Sequence, residues 1–260
     1  MITGKLISTA LIFLVAWTGM KVKALTVTGS LAAVAAGFAT LAGTGVEGLG
    51  LLGAFFASSS LWSNFKGKRK TSMDEKLAKG STRDWRQVAA NGGPAAICSA
   101  LLLATGNPVW LICFSSAIAS ANSDTWASEI GPLSKKDPIN IHGFKRAERG
   151  TSGAVSILGT TASLAGSAFI ALLAVYFFRL SYSEGIIIFS FGFMGSILDT
   201  LLGAYFQVSY KCKECGFETE RPIHCGKSTI KTKGIALLDN DMVNFLSGAL
   251  AVLGTYFFLL

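Results

Sequence analysis

The sequence predicts an all-α fold, a polytopic transmembrane bundle of about eight helices, from its composition and from two patterns along the chain. Hydrophobic residues make up 51% of the 260 residues and charged residues only 15%, against roughly 25% charged in ordinary soluble domains. Eight apolar stretches each approach or exceed the ~20 residues that a helix needs to cross a bilayer core. These stretches cover residues 3–20, 24–43, 48–65, 87–105, 109–131, 153–178, 186–209 and 237–260.

The basic residues lie almost wholly in alternate connections between these stretches. Of 23 Lys and Arg residues, 21 fall in the first, third, fifth and seventh connections, and only Lys5 and Arg179 lie elsewhere. Because cytoplasmic loops carry the excess of Lys and Arg, we expect the odd connections in the cytoplasm and both termini outside. The chain is therefore predicted to be one multi-pass domain, residues 1–260, in the cell (plasma) membrane. Basic loops beside anionic lipid explain the net charge of +8 more simply than a nucleic acid partner does.

Polar side chains inside the apolar stretches gather at the ends that meet the basic connections. They are Asn91, Asn122, Asp124, Glu129, Asp199, Asn240, Asp241 and Asn244. Ionisable groups at membrane depth are costly and usually face a bundle interior or a water-filled cavity. The alternation of the stretches places all of these groups in the cytoplasmic half. A transporter is expected to carry polar groups in both halves or at the midplane, whereas an enzyme acting on a lipid head group needs them on one side only.

Carboxylates beside many cations are typical of phosphoryl transfer. Mg²⁺ takes oxygen ligands from carboxylates and substrate phosphates, and we expect Asp124, Glu129, Asp199 and Asp241 to supply them. Basic side chains neutralise the phosphate oxygens in the transition state, and the candidates are Arg83, Lys145 and Arg149. Thr151 and Ser152, between Gly150 and Gly153, are expected to open the sixth helix and bind an anion through its free amides. Asn91, Asn122, Asn240 and Asn244 complete the hydrogen-bonding shell in this interpretation.

Two other interpretations stay open from these residues. The same acidic cluster could serve as the coupling site of a carrier of small ions or prenyl phosphates. Nucleotidyl rather than phosphoryl transfer is a second enzymatic alternative, although the D-x₂-D-G-x₂-A-R pattern of CDP-alcohol phosphotransferases is absent. For each basic residue, simple control of membrane topology is the competing explanation.

The seventh connection contains a Cys/His knuckle over residues 212–225. Cys212 and Cys215 form a C-x₂-C pair, and His224 and Cys225 follow. Three thiolates and an imidazole are the ligand set of a structural zinc site. Because the connection is predicted to be cytoplasmic, where disulfides are reduced, zinc is favoured over a bridge. A redox pair, or thiols without metal, is the alternative.

Four segments of the chain resemble a known family. They are Asn-Ser-Asp-Thr-Trp-Ala-Ser-Glu-Ile-Gly (122–131), Gly-Thr-Ser-Gly-Ala-Val-Ser (150–156), Gly-Ser-Ile-Leu-Asp-Thr-Leu-Leu-Gly-Ala (195–204) and Asp-Asn-Asp-Met-Val-Asn (239–244). The order and spacing are similar to a family of integral membrane proteins, formerly of unknown function, that includes the plant plastid phytyl-phosphate kinase. The resemblance implies Mg²⁺-dependent phosphorylation of a prenyl monophosphate to the diphosphate with CTP as donor. It leaves open another nucleotide, and phytyl, geranylgeranyl or farnesyl phosphate as the lipid partner.

Overall fold

A computed structural model describes residues 2–65 and 77–260. Lys66 to Lys76, which hold most of the basic residues of the third predicted connection, lie outside the described residues. The described chain forms seven α-helices joined by connections that contain short strands. The helices are α1 (Ile2–Lys21), α2 (Val27–Asn64), α3 (Trp85–Thr105), α4 (Val109–Ile130), α5 (Ile157–Phe178), α6 (Tyr182–Tyr205) and α7 (Asn240–Leu259).

Five of these helices, α2, α3, α5, α6 and α7, are long and apolar enough to cross a membrane. Helix α1 has a shorter apolar part, Leu6–Lys21, and α4 carries Asn122, Asp124 and Glu129 in its last turns. The helical, membrane-spanning character of the fold is thus confirmed. Eight crossings with both termini outside stay a prediction.

Helix α2 combines the second and third predicted stretches, and it folds back on itself at Gly45. That residue has φ 73° and ψ −161°, which is not helical. A side-chain carbon added at Gly29 would overlap the carbonyl oxygen of Arg83, while the Arg83 guanidinium donates to Ser60. A straight helix would separate residues 29 and 60 by about 46 Å. Therefore residues 27–44 and 46–64 form an antiparallel hairpin.

Helix α4 lies at the centre of the bundle and packs against α2, α3, α5, α6 and α7. Its middle turns are fully buried, with Phe114 and Ile118 showing no exposed surface. Small residues let the neighbouring helices approach closely, as is usual for helices that pack in lipid. A side chain at Gly195 of α6 would overlap the hydroxyl of Ser120.

The connections form small antiparallel sheets, which the all-α prediction missed. Strands β1 (Ile139–Asn140), β2 (Lys145–Arg146) and β3 (Ala154–Val155) make one sheet in the order β2-β1-β3. Strands β4 (Ser209–Lys211), β5 (Glu218–Thr219) and β8 (Ile230–Lys233) make a second, in the order β5-β4-β8. Strands β6 (Ile223–His224) and β7 (Lys227–Ser228) form a hairpin. Short strands of this kind lack the length and alternation that sequence patterns detect.

The helix ends are set by capping groups near these sheets. Asp84 and Gln87 form a capping box at the start of α3. Ser156 caps α5, where its side chain accepts a hydrogen bond from the Gly159 amide. Asp239 caps α7 in the same way and accepts from the Met242 amide. Because successive helices run in opposite directions, the starts of α3, α5 and α7, with these capping groups, meet the ends of α2, α4 and α6 at one end of the bundle.

The hairpin geometry predicts that the stability of the protein is unusually sensitive to substitution of Gly45. Its conformation is essentially restricted to glycine, so Gly45→Val should lower the free energy of unfolding by about 1–3 kcal/mol. The expected loss comes from the backbone conformation and not from crowding, since only the Glu47 carboxylate lies near a side-chain carbon added at Gly45. The matched control is Gly53→Ala, where an added carbon meets nothing within 4 Å. Thermal unfolding in detergent should show a clear loss for Gly45→Val alone. Equal melting of the two variants would contradict the hairpin.

Candidate functional site

A polar cavity of about 670 Å³ lies at the end of the bundle where the connections and capped helix ends meet. Most of the residues predicted for the site line it. These are Arg83, Asn91, Asp124, Glu129, Arg149, Thr151, Ser152, Asp199, Asn240, Asp241 and Asn244. The cavity thus brings together side chains that are up to 161 positions apart in the sequence, from Arg83 to Asn244.

Two of the predicted site residues lie away from the cavity. Asn122 is fully buried; it donates to the Gly166 carbonyl at 2.8 Å and accepts from Ser58 at 3.0 Å. It therefore fastens α4 to α5 and to the second half of α2. Lys145 lies exposed on β2 and does not line the cavity. Residue type and helical phase alone could not separate a packing amide from one that faces the cavity.

The prediction that Gly150–Gly153 opens the sixth helix is wrong. This segment is a turn with positive φ at Gly150 and Gly153. Strand β3 follows it, and α5 begins only at Ile157 because Ser156 caps that helix. Thr151 and Ser152 still line the cavity, but as part of a turn.

Asp124 of α4 and Asp199 of α6 both line the cavity, and each side chain is partly buried. Ser247 donates a hydrogen bond to Asp199 at 3.1 Å. Neither carboxylate pairs with a Lys or Arg of the described chain. Two like charges in one partly buried site favour a shared proton or a bound cation.

The other two predicted Mg²⁺ ligands have protein partners instead. Asp241 accepts from the Lys79 ammonium at 2.5 Å, and the Arg86 guanidinium lies 3.8 Å away. Glu129 accepts from the Ser63 hydroxyl at 2.6 Å. In the described residues, the four carboxylates do not form a single ligand set, because no three of them place oxygens within reach of one ion. Asp124 and Asp199 are the two of the four without a Lys or Arg partner or a short hydrogen bond to such a side chain in the described chain.

Two basic side chains, Arg83 and Lys79, line the same cavity. The Arg83 guanidinium donates to Ser60 at 3.2 Å and to Ser63 at 3.3 Å. Burial lowers the pKa of Arg83, and the negative charge of Glu129 opposes that shift. Burial also acts to lower the pKa of Lys79, but hydrogen bonds to Asp241 and Asp84 outweigh it and the pKa is raised. Both side chains therefore stay cationic at neutral pH and face the cavity.

Glu220 lines the cavity as well, and the sequence did not indicate it. It lies in the seventh connection, where it looks like any loop carboxylate. Gln207 donates to it at 2.7 Å, Ser152 at 3.1 Å and the Ala78 amide at 3.4 Å. Only the folding of residues 209–233 over the bundle reveals this contact. The acidic residue and its three donors form one side of the cavity.

The Cys/His knuckle predicted over residues 212–225 exists as a cluster outside the cavity. The ligand atoms of Cys212, Cys215, His224 and Cys225 all lie within 4.8 Å of one another. A backbone hydrogen bond from Cys215 lowers the pKa of the Cys212 thiol to about 6. A hydrogen bond to Cys215 raises the pKa of Cys225 to about 11. This group is the one set of His, Cys, Asp or Glu side chains in the described residues that could hold a metal through three or more of its members.

Comparison with known proteins agrees with a membrane protein. A family profile described as integral membrane protein DUF92 matches residues 10–252. The chain is 30% identical over 224 residues to Protein PGR of Arabidopsis thaliana, which covers 76% of each chain. It is 35% identical over 178 residues to an uncharacterized membrane protein of Methanocaldococcus jannaschii, covering 66% of this chain and 70% of that one. It is 26% identical over 202 residues to Protein VTE6, chloroplastic, of Arabidopsis thaliana, covering 76% of this chain and 61% of the relative. No solved structure matches the chain.

The environment of Glu220 predicts a pH-dependent stability. Burial raises the pKa of its carboxyl despite the hydrogen bonds from Ala78, Ser152 and Gln207. A raised pKa in the folded state means that folding favours the protonated form, so this stabilisation is present at low pH and is lost as the pH rises through the folded pKa. Glu220→Gln keeps an accepting oxygen without the charge. It should melt like the parent near pH 4 and above the parent near pH 8.

Glu218→Gln, at an exposed position on β5, is the matched control for this measurement. Calorimetry or dye-based melting in detergent at both pH values gives the comparison. A melting difference between Glu220→Gln and the parent that is the same at the two pH values would contradict a buried charge at Glu220.

Proposed function

Because this chain belongs to the DUF92 family of integral membrane proteins, we propose that it is a membrane-embedded kinase acting on a prenyl monophosphate. In this reaction an oxygen of the prenyl phosphate attacks the γ-phosphorus of CTP or another nucleoside triphosphate. The bond from the γ-phosphorus to the bridging oxygen breaks, and prenyl diphosphate and the nucleoside diphosphate leave. The phosphate dianion is itself the nucleophile, so the cavity needs no general base. Catalysis then consists of positioning and charge stabilisation.

The carboxylate pair Asp124 and Asp199 is the observation that carries this proposal. The two groups line the same cavity and have no basic partner among the described side chains. Mg²⁺ prefers one or two carboxylates together with substrate phosphates, which fits this pair. When bound, Mg²⁺ would neutralise charge on the phosphate oxygens. Asp241 and Glu129 hold the basic residues around the pair in this account.

The cationic side chains supply the phosphate contacts. Arg83 is held by Ser60 and Ser63, which orients its planar guanidinium toward the cavity that it lines. Lys79 is held by Asp84 and Asp241, and Arg149 also lines the cavity. Arginine matches phosphate oxygens in a bidentate manner, and lysine acts as a point charge. Three positions around one cavity suit a site that must hold a triphosphate and a monophosphate together.

A narrow apolar crevice supports a lipid substrate. It has a volume of about 130 Å³ and lies between α1, both halves of α2, and α3. Its walls include Ile12, Gly37 and Gly53, and it ends at Arg83 and Asn91, two residues that also line the polar cavity. An amphiphile with its phosphate at Arg83 would therefore extend its hydrocarbon chain into the crevice. Burial of apolar chain is favourable by about 0.8 kcal/mol per CH₂ group.

The orientation of the site follows from its charges. The cavity end of the bundle carries the connections rich in Lys and Arg, and the positive-inside rule assigns such connections to the cytoplasm. Nucleoside triphosphates are cytoplasmic. We therefore propose that the kinase acts at the cytoplasmic face of the cell membrane. The resemblance of residues 122–131, 150–156, 195–204 and 239–244 to a family that includes the plant plastid phytyl-phosphate kinase supports a prenyl substrate.

A direct assay tests the proposal. Purified protein in detergent is incubated with Mg²⁺, CTP or ATP carrying labelled γ-phosphate, and phytyl, geranylgeranyl or farnesyl phosphate. The expected product is labelled prenyl diphosphate, which chelation of Mg²⁺ should abolish. Transmembrane flux of labelled prenyl phosphate in liposomes, with no diphosphate formed, would instead identify a carrier.

Removing one charge of the central pair should separate catalysis from folding. Asp124→Asn or Asp199→Asn keeps the size of the side chain, but a lost ligand of the transition state costs about 4 kcal/mol, or roughly a thousandfold in rate. The melting temperature should not fall, because neutralising a carboxylate inside the bundle relieves the cost of its desolvation. Kinase rate and thermal melting are measured on the same samples.

Glu47→Gln is the matched control for these two variants. Glu47 is an exposed carboxylate of α2 near Gly45, at the end of the hairpin opposite the cavity. Its replacement should leave the rate unchanged. Near-normal turnover of both Asn variants would refute the assignment of Asp124 and Asp199.

If the crevice holds the hydrocarbon chain, filling it should raise the KM for long prenyl phosphates more than for short ones. Gly53→Leu adds a side chain where an added carbon meets nothing within 4 Å, so the protein should fold while the crevice is filled. The KM for geranylgeranyl phosphate should rise by about tenfold, as expected for the loss of one or two buried methylenes. A five-carbon prenyl phosphate should be affected much less. Gly4→Leu, also unobstructed but outside the crevice, is the control, and an equal KM change for both substrates would contradict the assignment.

A further inference from the structure

The ligand atoms of the four side chains in the Cys/His cluster lie within 4.8 Å of one another, and three of the separations match the ligands of one tetrahedral metal ion. The sulfurs of Cys215 and Cys225 lie 3.8 Å apart. The Cys215 sulfur is 3.6 Å, and the Cys225 sulfur 3.3 Å, from Nδ1 of His224. Tetrahedral zinc with its usual bond lengths requires about 3.8 Å between sulfurs and about 3.6 Å between sulfur and nitrogen. A disulfide would bring the sulfurs to about 2.05 Å.

The backbone around the cluster holds both pairs of ligands toward one centre. Cys212 and Cys215 sit in a tight turn, with hydrogen bonds from Gly216 to the Cys212 carbonyl and from Cys212 to Phe217. Cys225 occupies the turn between β6 and β7 with φ 51°, a left-handed conformation that non-glycine residues rarely adopt. Neighbouring residues in a strand point to opposite faces. The left-handed turn instead brings the Cys225 sulfur to the side of the His224 ring, so both adjacent residues reach the same centre.

The stretch of chain between the two ligand pairs reaches the cavity. It carries Glu220 and Arg221, and the Arg221 guanidinium donates to the Leu77 carbonyl at 2.9 Å. Glu220 accepts from the Ala78 amide at 3.4 Å. Two consecutive residues therefore hold the backbone immediately before Lys79, whose ammonium contacts Asp241. A further hydrogen bond holds the stretch itself, since the Thr229 hydroxyl donates to the Arg221 carbonyl at 2.9 Å.

We propose that Cys212, Cys215, His224 and Cys225 bind one zinc ion, and that this zinc site holds residues 77–83 over the polar cavity. Soft thiolates with an imidazole in tetrahedral array select zinc among common divalent ions. With the metal bound, the two ligand pairs fix both ends of the stretch that carries Glu220 and Arg221. Without it, these ends separate, and the backbone at Leu77 and Ala78 loses its two partners in the knuckle. Lys79 and Arg83 follow on the same segment.

Metal content and local backbone protection test the two parts of this inference without any enzymatic assay. Parent protein, a Cys215→Ser/Cys225→Ser double variant and Lys213→Ala are purified, and zinc is measured by mass spectrometry of the elements. Lys213 is exposed in the same turn and donates no ligand. Parent and Lys213→Ala should hold about one zinc per chain, and the double variant at least tenfold less. If the double variant does not accumulate, treatment of the parent with a strong chelator gives the same comparison.

Hydrogen exchange then tests the link to the cavity. The Ala78 amide is bonded to Glu220, so its exchange should accelerate by at least about tenfold when zinc is removed. The amides of the β1–β2 pair, in a different connection, should exchange as before. Parent protein without stoichiometric zinc would overturn the metal site. Bound zinc with unchanged exchange at 77–83 after its removal would overturn the coupling.

A kinetic consequence rests on the proposed function. Zinc removal should raise the KM for nucleotide more than it lowers kcat, because Lys79 and Arg83 would contact phosphates in the ground state as well as in the transition state. Metal content and hydrogen exchange report on the zinc site and its hold on residues 77–83 even in a protein with no kinase activity. The failure of one proposal is therefore distinguishable from the failure of the other. A kcat that falls with unchanged KM would contradict the idea that the zinc site positions Lys79 and Arg83 for their phosphate contacts.

Discussion

The burial of Asp124 and Asp199 in one cavity, without a Lys or Arg partner among the described side chains, is the constraint on which the rest of the site depends. Two helices, α4 and α6, bring these groups together at the polar end of the bundle, and close approach through small residues such as Gly195 makes that possible. The surrounding acids, Asp241 and Glu129, are engaged by Lys79 and by Ser63. Among the residues that the structure describes, Asp124 and Asp199 have no Lys or Arg partner. A low-dielectric bundle does not tolerate a charged pair without a counterion or a proton, and in the proposed function a divalent cation with bound phosphates would provide one.

The arrangement also explains why the polar residues lie at one end of the molecule. A substrate with a charged head and a long hydrocarbon tail cannot leave the interface, so its phosphate is found at one depth in the membrane. The polar cavity and the apolar crevice share Arg83 and Asn91, which places the change from polar to apolar wall at a single level. A carrier needs a site reached from both sides, and the residues near Gly45, Gly106 and Arg179, at the other end of the bundle, form no comparable cluster among the described side chains.

Sequence patterns predicted the helices and a number of the polar residues that line the cavity, because burial of charge in lipid allows few other positions for Asp124, Asp199 and Asp241. They also predicted the break between the stretches 24–43 and 48–65, where Gly45 in a glycine-only conformation turns the chain back into a hairpin. They assigned Asn122 to the site because helical phase does not distinguish cavity from helix–helix contact. Glu220 was missed for a different reason. Its position depends on the folding of the Cys/His knuckle over the bundle, a long-range contact that no local pattern records.

Binding of a divalent cation at Asp124 and Asp199 is the central claim, and Mn²⁺ observed by electron paramagnetic resonance tests it most directly. Purified protein with a non-hydrolysable nucleoside triphosphate should bind Mn²⁺ with phosphorus hyperfine coupling, which shows that phosphate and protein share the ion. Mg²⁺ should displace it, and a chain lacking both carboxylates should bind Mn²⁺ at least tenfold more weakly. Equal Mn²⁺ affinity with and without Asp124 and Asp199, or Mn²⁺ without phosphorus coupling, would contradict this account of the site.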